Sequence, residues 1–135
     1  IKVVAYDAQG KVVATEEIKT AGAPHHIRLV ADRTALTADG KDLAFITARV
    51  EDAQGNLCPD AAQSLSFAVS GAGSFRAIGN GDPTSLESFQ KPQMKVFQGQ
   101  LVAIVQTNTA AGTVQVKASS TGLQDGAVTL KTKAR

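Results

Sequence analysis

Ala31–Val69 reads ADRTALTADGKDLAFITARVEDAQGNLCPDAAQSLSFAV, and this stretch decides the fold. Within Leu43–Asp52, Ile46, Ala48 and Val50 alternate with Thr47, Arg49 and Glu51. Within Ser64–Ser70, Leu65, Phe67 and Val69 alternate with polar or small residues. A period of two marks a half-buried strand, since successive side chains point to opposite faces. Asp39-Gly40 and Asp52-Ala53-Gln54-Gly55-Asn56 punctuate the runs as turns. Gly tolerates positive φ there, and Asp bonds its own backbone. Short strands joined by such turns predict an antiparallel sandwich.

The pattern extends in both directions. Upstream, Ile1–Tyr6 and Lys11–Ile18 read as two strands of a hairpin across Asp7-Ala8-Gln9-Gly10. Lys19–Pro24 then reads as a linker, and the pattern restarts with Ile27, Leu29 and Ala31. Thr34–Gly40 reads as a turn region and Ser74–Gly79 as a short strand. Downstream, Asn80–Pro92 has two Pro and no alternation, so it reads as a loop. Lys95–Phe97 and Gln100–Thr107 read as a hairpin across Gln98-Gly99. Thr113–Ser119 and Val128–Thr132 close the chain as strands. No window keeps helical spacing for more than two turns, so helix content is expected near nil. Asp-Ala-Gln-Gly occurs at 7–10 and again at 52–55 with different flanks, which reads as one turn chemistry used twice.

Composition bounds the function. The 135 residues are 43% hydrophobic, too apolar for a disordered chain. Aromatics make up only 4%, with no Trp, so aliphatic side chains must fill the core. The net charge is +2 with Lys and Arg scattered, which leaves no basic stripe for nucleic acid. No run of 18 apolar residues occurs, so no membrane partner is expected. Cys58 stands alone and cannot form an intrachain disulfide. It lies in a turn with no acid–base constellation near it in sequence, and reads as a small apolar filler at a strand end. The chain opens inside a strand-like segment without Met and reads as a piece of something larger.

The candidate chemistry is thin. Glu16 and Glu17 lie in the hairpin, and Glu51 points outward from its strand. With Glu87, all read as solvated surface. His25-His26 follow Pro24. Adjacent strand positions would send their rings to opposite faces, away from a shared metal. Asn80-Gly81-Asp82-Pro83-Thr84-Ser85 offers oxygens to Ca²⁺, with Asp82 as the metal candidate. Only one carboxylate lies there, and Asp before Pro also starts turns. Sugar binding wants exposed aromatics beside polar donors. Of Tyr6, Phe75, Phe89 and Phe97, the pair Phe75 and Phe97 read as core, and Phe89 in the long loop is the candidate sugar contact. Val102 and Ile104 face away from Leu101, Ala103 and Val105, which makes them candidate interface residues. No catalytic residue and no cofactor is expected.

Two resemblances add to this reading. Ala38-Asp39-Gly40-Lys41-Asp42, the strand to Val50, Asp52–Asn56, Phe67-Ala68-Val69-Ser70 and Ala111–Val114 resemble bacterial immunoglobulin-like modules of the invasin/intimin type. More specifically, KVVAYDAQGKVVATEEIKTAGAP at 2–24, Ile27-Arg28-Leu29 and Gly79–Ser85 resemble the C-terminal region of family 2 glycoside hydrolases of the β-galactosidase type from Bacteroides-like bacteria. The resemblance implies an immunoglobulin-like sandwich of about seven to nine strands over 25–135. It also implies that 1–24 are the last hairpin and linker of a preceding immunoglobulin-like domain.

The functional expectation follows from that likeness: a non-catalytic structural module of a secreted or periplasmic bacterial enzyme. Its partners would be the enzyme's neighbouring domains, with homo-association through the hairpin. Hydrolysis itself needs two carboxylates about 5 Å apart, here expected on a barrel of about 250 residues that this chain is too short to form. A spacer of a surface adhesin and a carbohydrate-binding module are the alternatives. A lone hairpin is marginal in water, so this one is expected to dock on the sandwich or to pair with another copy.

Overall fold

Ile46, Ala48 and Val50 lie fully buried on the inner side of β5 (Leu43–Glu51), as their spacing predicts. The computed structural model describes residues 2–17 and 20–135. The strands of the first sheet are β3 (His26–Ala31), β5, β9 (Gln100–Thr107) and β7 (Gly73–Gly79), in that order. The facing sheet runs β4 (Ala35–Thr37), β11 (Gly126–Lys133), β10 (Gly112–Ser119), β6 (Ser64–Gly71) and β8 (Gln93–Lys95). The architecture is an all-β immunoglobulin-like sandwich, and nine strands form it. β1 (Lys2–Tyr6) and β2 (Val12–Glu17) make a separate two-stranded ladder. Ile1 and Ile18, expected at the outer ends of this hairpin, lie outside the described residues.

The core is aliphatic. Ile46, Leu101 and Val105 meet Leu65, Met94, Val116 and Leu130 between the sheets. Each such side chain contributes about 1.5–3 kcal/mol on leaving water. β9 lies between β5 and β7, which accounts for its apolar run.

Three expectations need correction. Thr34–Gly40 is not all turn: Ala35–Thr37 forms β4, which pairs with β11 in parallel. Its Leu36 is buried, but three residues are too few to show a period. Of Lys95–Phe97 only Phe97 pairs with β9, bridging Gln100 across the expected Gln98-Gly99 turn. β8 instead joins β6 in the other sheet, and the chain crosses over at Phe97–Gln100. Gln98 (φ 53°) and Gly99 (φ 78°) are both left-handed there, the signature of a tight two-residue turn. A Cβ at position 99 would stand 2.3 Å from the Cys58 carbonyl oxygen, so only Gly fits. The crossover buries Met94 and Val96 and leaves Phe97 half-buried at the rim. Phe75 is also half-buried, packed against the core.

The third correction concerns the hairpin. Among the described residues Val3, Tyr6, Val12 and Val13 are exposed, so of the two expected outcomes these side chains do not show the first, docking on the sandwich. It holds together through its own ladder, with Val4 opposite Thr15 and Ala5 opposite Ala14.

The outer faces of the two sheets differ. On the five-stranded sheet Ser66, Ser70, Gln115, Lys117, Thr129 and Lys131 point to solvent. On the four-stranded sheet, Phe45 stands opposite Ile104, which is opposite Ala77. In the next row Val30 faces Thr47, which faces Val102.

Candidate functional site

The two Asp-Ala-Gln-Gly segments fold alike. At the first, the Gln9 and Lys11 amides donate to Asp7 Oδ1 at 2.9 Å, and the Gly10 amide to the Asp7 carbonyl at 3.0 Å. At the second, the Gln54 and Asn56 amides donate to Asp52 Oδ1 at 2.9 and 2.8 Å, and the Gly55 amide to the Asp52 carbonyl at 3.0 Å. One carboxylate oxygen thus closes each turn. The second oxygen separates the copies. Asp52 Oδ2 accepts the amide of Gly22 in the linker at 2.8 Å and Asn56 Nδ2 at 3.1 Å. Asp52 is buried, and these donors hold its pKa down to about 2, with the Gly22 amide the largest cause.

The linker is tied at further points. The buried Cys58 thiol lies 3.6 Å from the Gly22 carbonyl oxygen. Burial pushes its pKa up, with the charges of Asp52 and Glu51 adding to the shift, so the thiol is a poor nucleophile. The His25 amide donates to the Glu51 carbonyl at 2.8 Å. Glu51 is outward on β5, yet only 1% exposed, which corrects the expectation of a solvated side chain. His26 Nε2 lies 3.1 Å from Glu51 Oε1, and Arg49 Nε 3.2 Å from Oε2. The Arg49 contact lacks hydrogen-bond alignment and acts as an ion pair. Arg28 Nη1 stands off at 4.0 Å.

The histidine rings meet rather than diverge, because His25 precedes β3 and escapes its alternation. Their Nδ1 atoms are 3.0 Å apart and the rings cross at 85°. Such a contact needs one donor and one acceptor. The joint therefore links His25 through His26 to Glu51, with the Asp52–Gly22 clamp beside it. Between linker and loop lies an open groove of about 870 Å³, lined by Gly22, Pro24, Arg49 and Cys58 among others. Sequence reasoning passed over this joint. The one available signal was Asn56 following the second copy of the turn motif where Lys11 follows the first.

The remaining candidates are scattered. Asp82 Oδ1 accepts the Thr84 amide at 2.8 Å and the Thr84 hydroxyl at 2.7 Å. That hydroxyl holds the Asp82 carboxyl below its usual range. Glu87 accepts the Lys95 amide at 3.1 Å. Among the described residues no group of three His, Cys, Asp or Glu side chains converges as a metal site. Phe89 is 60% exposed on the loop, where its carbonyl accepts the Ile78 amide at 2.8 Å. Val102 and Ile104 are half-buried in the middle of the outer apolar face, and the row of Arg28 and Arg49 lies next to that of Val102. The side chains of Glu16 and Glu17 lie outside the described residues.

Nine strands in two facing sheets, entered through a clamped linker, define the class: an immunoglobulin-like β-sandwich module. Residues 27–129 match the family model of the glycoside hydrolase family 2 C-terminal domain 5. The chain belongs to that family. It is 46% identical over 124 residues to the β-galactosidase BoGH2A of Bacteroides ovatus, a match spanning 92% of this chain and 14% of that protein. A solved glycosyl hydrolase family 2 member from Bacteroides cellulosilyticus superposes with a TM-score of 0.91 at 32% identity, over 98% of this chain and 17% of that one. The Yersinia pseudotuberculosis adhesin InvE shares the fold, with a TM-score of 0.54 at 18% identity over 80% of this chain and 26% of that one. The chain thus spans about one seventh of the curated relative it matches.

Proposed function

We propose that this chain is a non-catalytic structural module of a β-galactosidase-type family 2 glycoside hydrolase, exported to the periplasm or beyond, and that it fixes the arrangement of the enzyme's domains. The observation that carries this reading is the joint. Among the described residues Glu51 and Asp52 are the buried carboxylates. Asp52 holds the linker at Gly22, Glu51 is taken up by His26 and Arg49 of the adjoining strands, and neither lines the groove. A buried, multiply bonded carboxylate rigidifies what it holds, because breaking it leaves several amides without partners. The likeness to BoGH2A supports the parent activity, and the likeness to InvE supports the fold alone. The exposed hairpin strands leave edges that a strand from a neighbouring domain, or from a second copy, can extend.

The test is the full-length enzyme without residues 25–135. The expected result is a lower Tm with kcat/KM for an aryl β-galactoside kept within about threefold at a temperature where the remainder is folded. A loss beyond about a hundredfold in that folded remainder would place chemistry in this module.

A further inference from the structure

The outer face of the four-stranded sheet is built differently from its counterpart. Two adjacent cross-strand rows, Val30–Thr47–Val102 and Phe45–Ile104–Ala77, put five apolar side chains and a threonine on one flat surface. Val30 and Phe45 are 44% and 43% exposed. Soluble proteins seldom leave such a surface bare without a partner. The next row along the strands pairs Arg28 with Arg49. Beyond it Glu51 is the carboxylate these two guanidiniums share. Arg28 and Arg49 are the charges that reach solvent at this end, while the carboxylates of Glu51 and the adjoining Asp52 are buried.

The linker enters at that same end. His26 pairs with Glu51 in register, and the His25 amide binds the Glu51 carbonyl. The Asp52–Gly22 clamp pins the chain just upstream. Polypeptide preceding the linker is therefore held beside the charged end of the apolar rows, at an effective concentration that no separate partner matches. The occupant must be apolar at its centre, to cover the Phe45–Ile104 rows, and acidic at the linker end, to meet Arg28 and Arg49.

We infer that the outer face of the β3-β5-β9-β7 sheet seats a domain of the parent polypeptide that precedes the β1–β2 hairpin, through an aliphatic patch with a carboxylate at its edge. This rests on the structural-module reading above and assigns it a surface. The test is thiol labelling of Phe45→Cys and Gln115→Cys, each in the full-length enzyme and in the 135-residue chain. The native Cys58 is buried and slow to react, so the background is low.

The expected result is labelling of Phe45→Cys at least about tenfold slower in the enzyme than in the short chain, with Gln115→Cys equally fast in both. Ile104→Cys repeats the first arm if Phe45→Cys folds poorly. Adding Arg28→Glu should speed labelling in the enzyme and leave the short chain unchanged. Equal rates for Phe45→Cys in both contexts would overturn the inference, as would protection that grows with protein concentration, the mark of a second copy. Equal protection at Gln115→Cys would also overturn it. The deletion experiment reports separately, so a bare face with a lowered Tm on deletion would sink the docking surface alone.

Discussion

Asp7 and Asp52 begin the same four residues and close the same turn, yet they sit in different surroundings. Asp7 caps an exposed hairpin, and its bonds stay within that turn. Asp52 repeats those bonds and adds one to Gly22, thirty residues away in sequence. The contrast teaches that local sequence sets the turn, whereas the second oxygen's neighbours set its use. A carboxylate has more acceptor capacity than a turn requires. Where the chain brings another orphan amide close, the spare capacity becomes a tertiary joint.

Alanine at each position should give the largest separation. Asp52→Ala strands the amides of Gly22, Gln54 and Asn56 at a partly buried joint. The expected fall in the sandwich Tm is about 10 °C by calorimetry. Asp7→Ala should leave that transition within about 2 °C, because the hairpin is a ladder of its own. Equal effects would erase the distinction between the two turns.

Acid should separate them next. The Asp52 carboxyl titrates near 2 in the fold, below its ordinary 3.8, so the unfolded chain binds more protons between those values. Its stabilising effect is complete above about pH 4 and drains away as pH falls toward 2. Asp42, held low first by the Thr37 amide and then by Arg33, acts in the same direction. Tm measured from pH 6 to 2.5 should drop steeply for the native chain and less steeply for Asp52→Asn. A slope unchanged by the substitution would remove Asp52 from the acid response.

Asn56→Ala should have the smallest effect. It removes only the Asn56 Nδ2 bond to Asp52 Oδ2 and keeps the turn amide. The expected cost is about 1 kcal/mol in denaturant unfolding. The matching change at Lys11 should be silent, since the position donates through its backbone.

The strands that build the core were legible because one buried face imposes a period of two. Ile46, Ala48 and Val50 carry it in β5, and Val114, Val116 and Ala118 carry it in β10. β4 and β8 are three residues each, and their place depends on neighbours far along the chain. The joint was hidden for the same reason. Nothing near Asp52 in sequence announces Gly22, and Glu51 looks solvent-facing until His26 and Arg49 are brought against it. Val102 and Ile104 were legible as a second apolar face. Val30 and Phe45, which complete that face, were not, because only strand register brings them together.

Hydrogen exchange at the Gly22 amide addresses the central claim, that this chain works by holding a linker still. In the native chain that amide should exchange at least about a hundredfold more slowly than an unprotected one, and Asp52→Asn should return most of that protection to solvent. A Gly22 amide that exchanges freely in the native chain would contradict the account.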